Sequence, residues 1–374
     1  MRRLANILHL GTKELYSLAR DPVLMGLIVY TFTFAVYTVA NGVRTEVRNA
    51  AIAIVDEDGS ALSRSLRQAF LRPYFQPAVL LSSTEIDPAM DAGRFAFVLD
   101  IPPGFEADVL AGRVPAIQLN VDATAMTLAG NGSGYIQSIL GQEIAKFVVG
   151  IDAPVRSPVE LRIRARFNPN LDSSWFTALM QIINNVTMLA LILSGAAVIR
   201  EREHGTIEHL LVMPVRPSEI MAAKIWANGL VIVVAAVLSL HLVVRGVLAV
   251  PILGSVGLYA LGTAAYLFSV TSLGILLSTI ARSMPQFGLL CIPIFVSMNM
   301  LSGTMTPLES MPWLLQAIMQ ASPSVHYVAL AQAVLYRGAD LTIVWPQLLA
   351  SAGLGLLFFL VSLARFRATM AASH

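Results

Sequence analysis

WFTALMQIINNVTMLALILSGAAVI, residues Trp175 to Ile199, runs without a single Asp, Glu, Lys or Arg. A helix rises 1.5 Å per residue, so about 20 apolar residues are needed to cross roughly 30 Å of hydrocarbon. The stretch therefore predicts a membrane-spanning helix. Five more windows meet the same condition: Val23 to Ala40, Ile225 to Val244, Ile252 to Ala281, Phe287 to Thr306 and Pro346 to Ala364. The fourth window is longer than one span needs, and Pro251 and Gly254 place a turn before it. Composition agrees: 56% of the 374 residues are hydrophobic and 13% charged, against about 25% charged in an average soluble domain. The expected fold is an α-helical membrane protein with six transmembrane helices.

Orientation follows from the basic residues, because Lys and Arg in short loops are retained on the cytoplasmic side. Arg2, Arg3, Lys13, Arg20, Arg200, Arg202, Arg216, Lys224, Arg282, Arg365 and Arg367 fall on one side, and Arg245 and Arg337 on the other. Eleven against two predicts that both termini, including the tail 365–374, are cytoplasmic. The N-terminus carries Asn6, His9, Lys13, Glu14, Arg20 and Asp21 ahead of the first apolar run. A cleavable signal peptide has no such interruption, so that run is expected to stay as an anchor. Residues 1–22 form a candidate amphipathic helix lying in the interfacial plane, with Leu4, Ile7, Leu8, Leu15 and Leu18 on one face.

Residues 41–174, between the first two windows, are expected to form a large α+β domain outside the cytoplasm. Strand-like runs fall at Ala51 to Val55, Ala78 to Leu81, Phe95 to Ile101, Ala116 to Val121 and Val159 to Phe167. Helix-like pieces fall at Ser60 to Leu71, Glu85 to Ala92, Phe105 to Ala111 and between Thr124 and Val149. The segment 304–345, broken at Pro307, Pro312 and Pro323, predicts short helices dipping into the outer leaflet.

Several activities are excluded or disfavoured. A P-loop needs Gly-Lys followed by Ser or Thr, but Lys13, Lys146 and Lys224 are followed by Glu14, Phe147 and Ile225. If ATP drives the protein, another chain must bind it. Proton or sodium coupling normally shows intramembrane carboxylates. The six windows contain none, and His241 alone reads as a packed or interfacial residue. No His-Glu-x-x-His or Gly-x-Ser-x-Gly motif is present, so no catalytic residues are expected. The net charge of +2 gives no footprint for nucleic acid. Cys291, the one cysteine, permits no internal disulfide and reads as a buried hydrophobe. The sequon Asn131-Gly132-Ser133 is too short to carry weight.

The cytoplasmic connection 200–224 combines a charged collar, a glycine break, a short amphipathic turn and a proline stop. Such a helix can offer Ile207, Leu210 and Leu211 to a groove on another protein. A merely solvated loop would carry the same charges. The run Glu201-Arg-Glu-His-Gly-Thr-Ile-Glu-His-Leu-Leu-Val-Met-Pro214 resembles the signature of ABC-2-type permeases, near the bacterial drug, antibiotic and lipid exporters. Phe167, Asn168, Pro169 and Asn170 resemble that family's lead-in to its second span. Ser302, Gly303, Pro307, Met311 and Pro312 resemble its re-entrant outer segment.

The resemblance implies a bacterial inner-membrane exporter for an amphipathic drug-like or lipid-like molecule. Two permease subunits would pair, as a homodimer or heterodimer, each on a separate ATPase subunit that holds ATP and Mg. This chain would bind no cofactor and no metal. Glu201, Arg202, Glu203, Gly205, Thr206, Glu208, Leu210, Leu211 and Pro214 would shape the ATPase contact, with the N-terminal helix beside them. Some relatives also engage a periplasmic adaptor. From the residues themselves, Gln181, Asn184, Asn185, Ser297 and Asn299, with Thr187, are the intramembrane polar groups able to face a substrate path, or equally to bond helix to helix. A membrane-anchored sensor or envelope assembly scaffold using the outer domain is the competing reading.

Overall fold

The computed structural model describes residues 2–42, 46–124, 126–149, 167–168, 172–203 and 215–371. The chain divides into two compact units, Arg44–Ala165 and the remainder.

In the larger unit the first helix, α1 (Arg2–Ala19), stops before Asp21, whose carboxylate accepts from the amides of Val23 and Leu24 at 3.1 and 3.0 Å. An acidic N-cap followed by proline at the first helical position starts the next helix. That helix is α2 (Pro22–Gly42), and α7 (Ser173–Glu203), α8 (Pro217–Val247), α9 (Val256–Ile280) and α13 (Leu341–Ala371) are the other long apolar ones. Among the described residues these five helices are long and apolar enough to cross a membrane. Short helices α11 (Trp313–Met319) and α12 (Pro323–Leu335) precede α13. The central helix is α9, which packs against α7, α8, α12 and α13.

The window from Phe287 to Thr306 behaves differently from expectation. Its helix, α10 (Met284–Met300), has 17 residues, about 25 Å at helical rise. It stops because the Asn299 carbonyl is taken by the hydroxyls of Ser302 and Thr304, while Gly303 turns the chain at φ +93°. The chain thus leaves the helix six residues before the apolar window ends.

Polar side chains inside this unit are mostly paired, as an apolar surrounding demands. In α2, residues Thr31–Ala35 widen to a π-helix, which loosens the regular carbonyl pairing. The Thr31 carbonyl accepts from the Asn185 amide of α7, and the Phe32 carbonyl from the Ser239 hydroxyl of α8. Deeper in, Tyr266 of α9 and Tyr327 of α12 stack at 4.2 Å between centroids. Their hydroxyls meet Thr187 at 2.6 Å and Thr263 at 2.9 Å, and Tyr327 donates to Tyr259 at 3.1 Å. Where α7 crosses α9, Gly274 lies so near that a Cβ there would stand 2.3 Å from Ser194 Oγ and 2.8 Å from the Leu191 carbonyl. Small residues permit this backbone approach.

The smaller unit is α+β. Strands β1 (Ile52–Asp56), β2 (Val79–Leu81), β3 (Phe97–Ile101) and β4 (Gln118–Val121) form a sheet ordered β2-β1-β3-β4. β1 lies parallel to both β2 and β3, with Ile54 opposite Leu99, and β4 closes antiparallel with Leu119 opposite Leu99. Alternation divides the core. Ile52, Ile54, Phe97 and Leu99 pack with Leu62 and Leu66 of α3 (Ala61–Ala69), Phe105 of α5 (Phe105–Leu110) and Ile136 of α6 (Met126–Val149). Ala53, Val55 and Val98 pack with Ala89 of α4 (Ile86–Asp91). The strand expected from Val159 lies outside the described residues up to Phe167.

Candidate functional site at the charged end of the bundle

The last turn of α7 reads Arg200-Glu201-Arg202-Glu203. Consecutive helical residues point about 100° apart, so four in a row radiate around the axis, and here each finds a different element. Arg200 stands 3.9 Å from Asp21, the cap of α2. Glu201 Oε1 accepts from Lys224 Nζ of α8 at 2.7 Å. Arg202 donates to the Ala281 carbonyl, at the C-terminus of α9, at 2.8 Å. Glu203 Oε1 accepts from the Met284 amide, at the N-terminus of α10, at 3.0 Å. The last two match charge to helix polarity, a cation on exposed carbonyls and an anion on exposed amides.

Lys224 is 2% exposed and also donates to Glu14 Oε1 of α1 at 3.0 Å. A lysine buried between two carboxylates joins α1, α7 and α8 at one point. Two further contacts clasp α1 to α8. Glu219, 5% exposed, accepts from the Asn6 side chain and from the Arg216 amide, both at 3.2 Å. Trp226 donates its indole N–H to the Ile7 carbonyl at 3.1 Å, and its ring fills the space left by Gly11. The docked face of α1 thus includes Ile7, Gly11, Glu14 and Leu18, a helical i, i+4, i+7, i+11 stripe. Of the expected apolar face, Ile7 and Leu18 belong to this docked stripe, while Leu4 and Leu8 remain 66% and 50% exposed. A glycine and a glutamate, both unlike core residues, take the contact because Trp226 needs the room and Lys224 needs the charge.

Of the residues singled out for ATPase contact, Glu201, Arg202 and Glu203 form this radiating turn. Gly205, Thr206, Glu208, Leu210, Leu211 and Pro214, with Ile207, lie outside the described residues. Sequence reading passed over Lys224, Glu14, Glu219 and Trp226 as site residues. Glu14 and Lys224 are 210 positions apart, and no spacing rule connects them.

The intramembrane candidates separate. Gln181 donates to Asn185 one turn further along the same helix, and Asn185 donates to the Thr31 carbonyl of α2, so Asn185 bonds helix to helix and Gln181 supports it. Asn184 is half-buried on α7, and Ser297 is exposed on α10. Asn299, half-buried on α10, has a buried carboxamide oxygen without a hydrogen-bond partner. His241 sits exposed on the π-helical end of α8, and Cys291 is buried. At the far end of α7, Asn168 receives the Asp172 amide and donates to the Asp172 carbonyl. That clasp orders the lead-in to the helix; Pro169 and Asn170 lie outside the described residues. Among the described residues no group of three His, Cys, Asp or Glu side chains could hold a metal.

The family model for ABC-2 family transporter proteins matches residues 22–364. The inner membrane transport permease YhhJ of Escherichia coli (strain K12) is 53% identical over 370 residues, 99% of either chain. The probable multidrug ABC transporter permease YbhR of Escherichia coli (strain K12) is 31% identical over 343 residues, 90% of this chain and 91% of that one. YbhS of the same organism, likewise a probable multidrug ABC transporter permease, is 24% identical over 334 residues, 88% of each.

Proposed function

The chain belongs to the ABC-2 family of transporter proteins, and from that premise we propose that it is the permease subunit of an ATP-binding cassette exporter. It sits in the bacterial inner membrane, pairs with a second permease subunit and is driven by a separate ATPase that binds ATP and Mg. Both termini are cytoplasmic, α10 is the fifth of six spans, and the unit Arg44–Ala165 is periplasmic, where it can meet an adaptor. The substrate is an amphipathic drug-like or lipid-like molecule, the former in keeping with YbhR and YbhS being probable multidrug permeases.

One observation carries the reading: the turn that leads into the connection 204–214 touches α2, α8, α9 and α10, and through Lys224 also α1. A push on that connection by a partner reaches five helices at once. No bond-making chemistry is needed, only rigid transfer of displacement. A charge-assisted hydrogen bond contributes about 1.5–3 kcal/mol, so Glu203→Lys is expected to lower substrate-stimulated ATPase activity of the reconstituted complex about tenfold. Glu208→Lys should act in the same direction. Unchanged stimulation in both variants would remove the coupling role.

For the substrate path, Asn299 supports the reading best, with Asn184 beside it as a candidate. A buried carbonyl oxygen left without a donor costs about 1–3 kcal/mol, and a cargo or a second subunit can supply the donor. In a Cys291→Ala background, Asn184→Cys and Asn299→Cys are expected to react with polar thiol reagents in at least one nucleotide state. Inertness of both in every state would take these residues off the path.

A further inference from the structure

The side of α1 turned away from α8 carries a second stripe, His9, Lys13, Tyr16 and Arg20, again at i, i+4, i+7, i+11, half a helical turn from the docked residues. All four are exposed, Tyr16 at 70%. With Thr12, Ser17, Asp21 and Pro22 they line a concavity of about 870 Å³ in the elbow between α1 and α2. Asp21 is the acidic group in it, and its carboxylate is engaged by the Val23 and Leu24 amides and lies 3.9 Å from Arg200. Lys13 and Arg20 have no ion-pair partner among the described residues.

We infer that this concavity holds the phosphate of an anionic phospholipid from the leaflet that α1 lies against. Lys13 and Arg20 supply the charge, and Tyr16, Ser17 and His9 supply the donors. Three observations favour a lipid over other anions. The stripe ends at Arg20, two residues before the first apolar helix begins at Pro22, which puts the cations at headgroup height. Leu4 and Leu8 are exposed on the flank between the two stripes, a position that suits the acyl boundary. The opposite face of α1 is already spent on α8, so the basic stripe is directed outward. This inference needs α2 to cross a bilayer but does not depend on the ATPase reading. The consequence is that lipid clamps the outer side of α1 while Lys224 and Trp226 clamp its inner side.

The test uses the full-length protein purified in detergent. Phosphatidylglycerol, phosphatidylcholine and inorganic phosphate are titrated at equal concentration, with retained lipid counted by native mass spectrometry and the unfolding midpoint followed in parallel. Phosphatidylglycerol alone is expected to be retained and to raise the midpoint. Each basic residue near an anionic surface strengthens binding roughly fivefold, so K13Q/R20Q should weaken retention by more than about tenfold, with its lipid-free midpoint unchanged. The charge-preserving K13R/R20K should retain the lipid. Wild-type retention by K13Q/R20Q overturns the inference, as does equal protection by inorganic phosphate, which would mark a site for soluble anions. Loss of a copurifying ATPase from K13Q/R20Q with lipid retention intact would also overturn it, assigning the face to a protein partner.

Discussion

Lys224→Met is expected to destabilise the protein by about 3 kcal/mol, since removing one member of a buried charge cluster leaves its partners uncompensated. Here the partners are two carboxylates, Glu14 and Glu201, which would face each other across the vacated site. The loss should appear as a lower unfolding midpoint of the purified protein. The triple change Lys224→Met, Glu14→Gln, Glu201→Gln removes every charge together and should recover most of the stability, because apolar or neutral replacements of a buried ion cluster are often close to neutral. If the cluster also transmits force, the triple variant should fold well and still show weakened coupling of ATP hydrolysis to substrate. Full coupling in the stable triple variant would reduce Lys224 to a packing residue. A Lys224→Met protein as stable as wild type would contradict the burial argument itself.

Gly11→Val should dislodge α1. Even a Cβ at position 11 would stand 2.2 Å from the Trp226 ring, and the ring is held by its bond to the Ile7 carbonyl. Overpacking of this kind costs about 1–3 kcal/mol. The expansion falls on a helix held otherwise by Leu18, Glu14 and Asn6, so release of the helix is the expected relief. Limited proteolysis should then cut within residues 2–19 faster than in wild type. A compensating Trp226→Ala in the Gly11→Val background should restore protection in part, since it removes the obstructing ring while forfeiting its indole bond. If the two substitutions are additive, with no recovery, the Gly11–Trp226 contact does not govern docking.

The membrane character was legible at once, because hydrocarbon requires long uninterrupted apolar runs and no other sequence feature imitates them. The described strands of the smaller unit were legible for a related reason: β1 and β3 are short apolar runs rich in Ile, Val and Phe, set off by turn residues such as Gly59 and Pro102-Pro103. The fifth window misled at its end because hydropathy scores Ser302, Gly303 and Thr304 as tolerable in a span. It does not see that two hydroxyls compete for the Asn299 carbonyl and stop the helix. The docked stripe of α1 was not legible, since a hydrophobicity pattern gives no weight to Gly11 and Glu14.

From residue order alone come the apolar helices, their number to within one, the two-part organisation into bundle and α+β unit, and the charged run at the end of α7. These are local properties, set by periodicity, composition and the cost of placing charge in lipid. Folding in three dimensions decided which charges act together. Lys224 meets Glu14 and Glu201 only because α1 packs along the first turns of α8 where α7 ends, and Arg202 and Glu203 find helix ends 79 and 81 positions away. Pairing over such separations depends on where helices stop and how they pack, and neither quantity is written in any one segment.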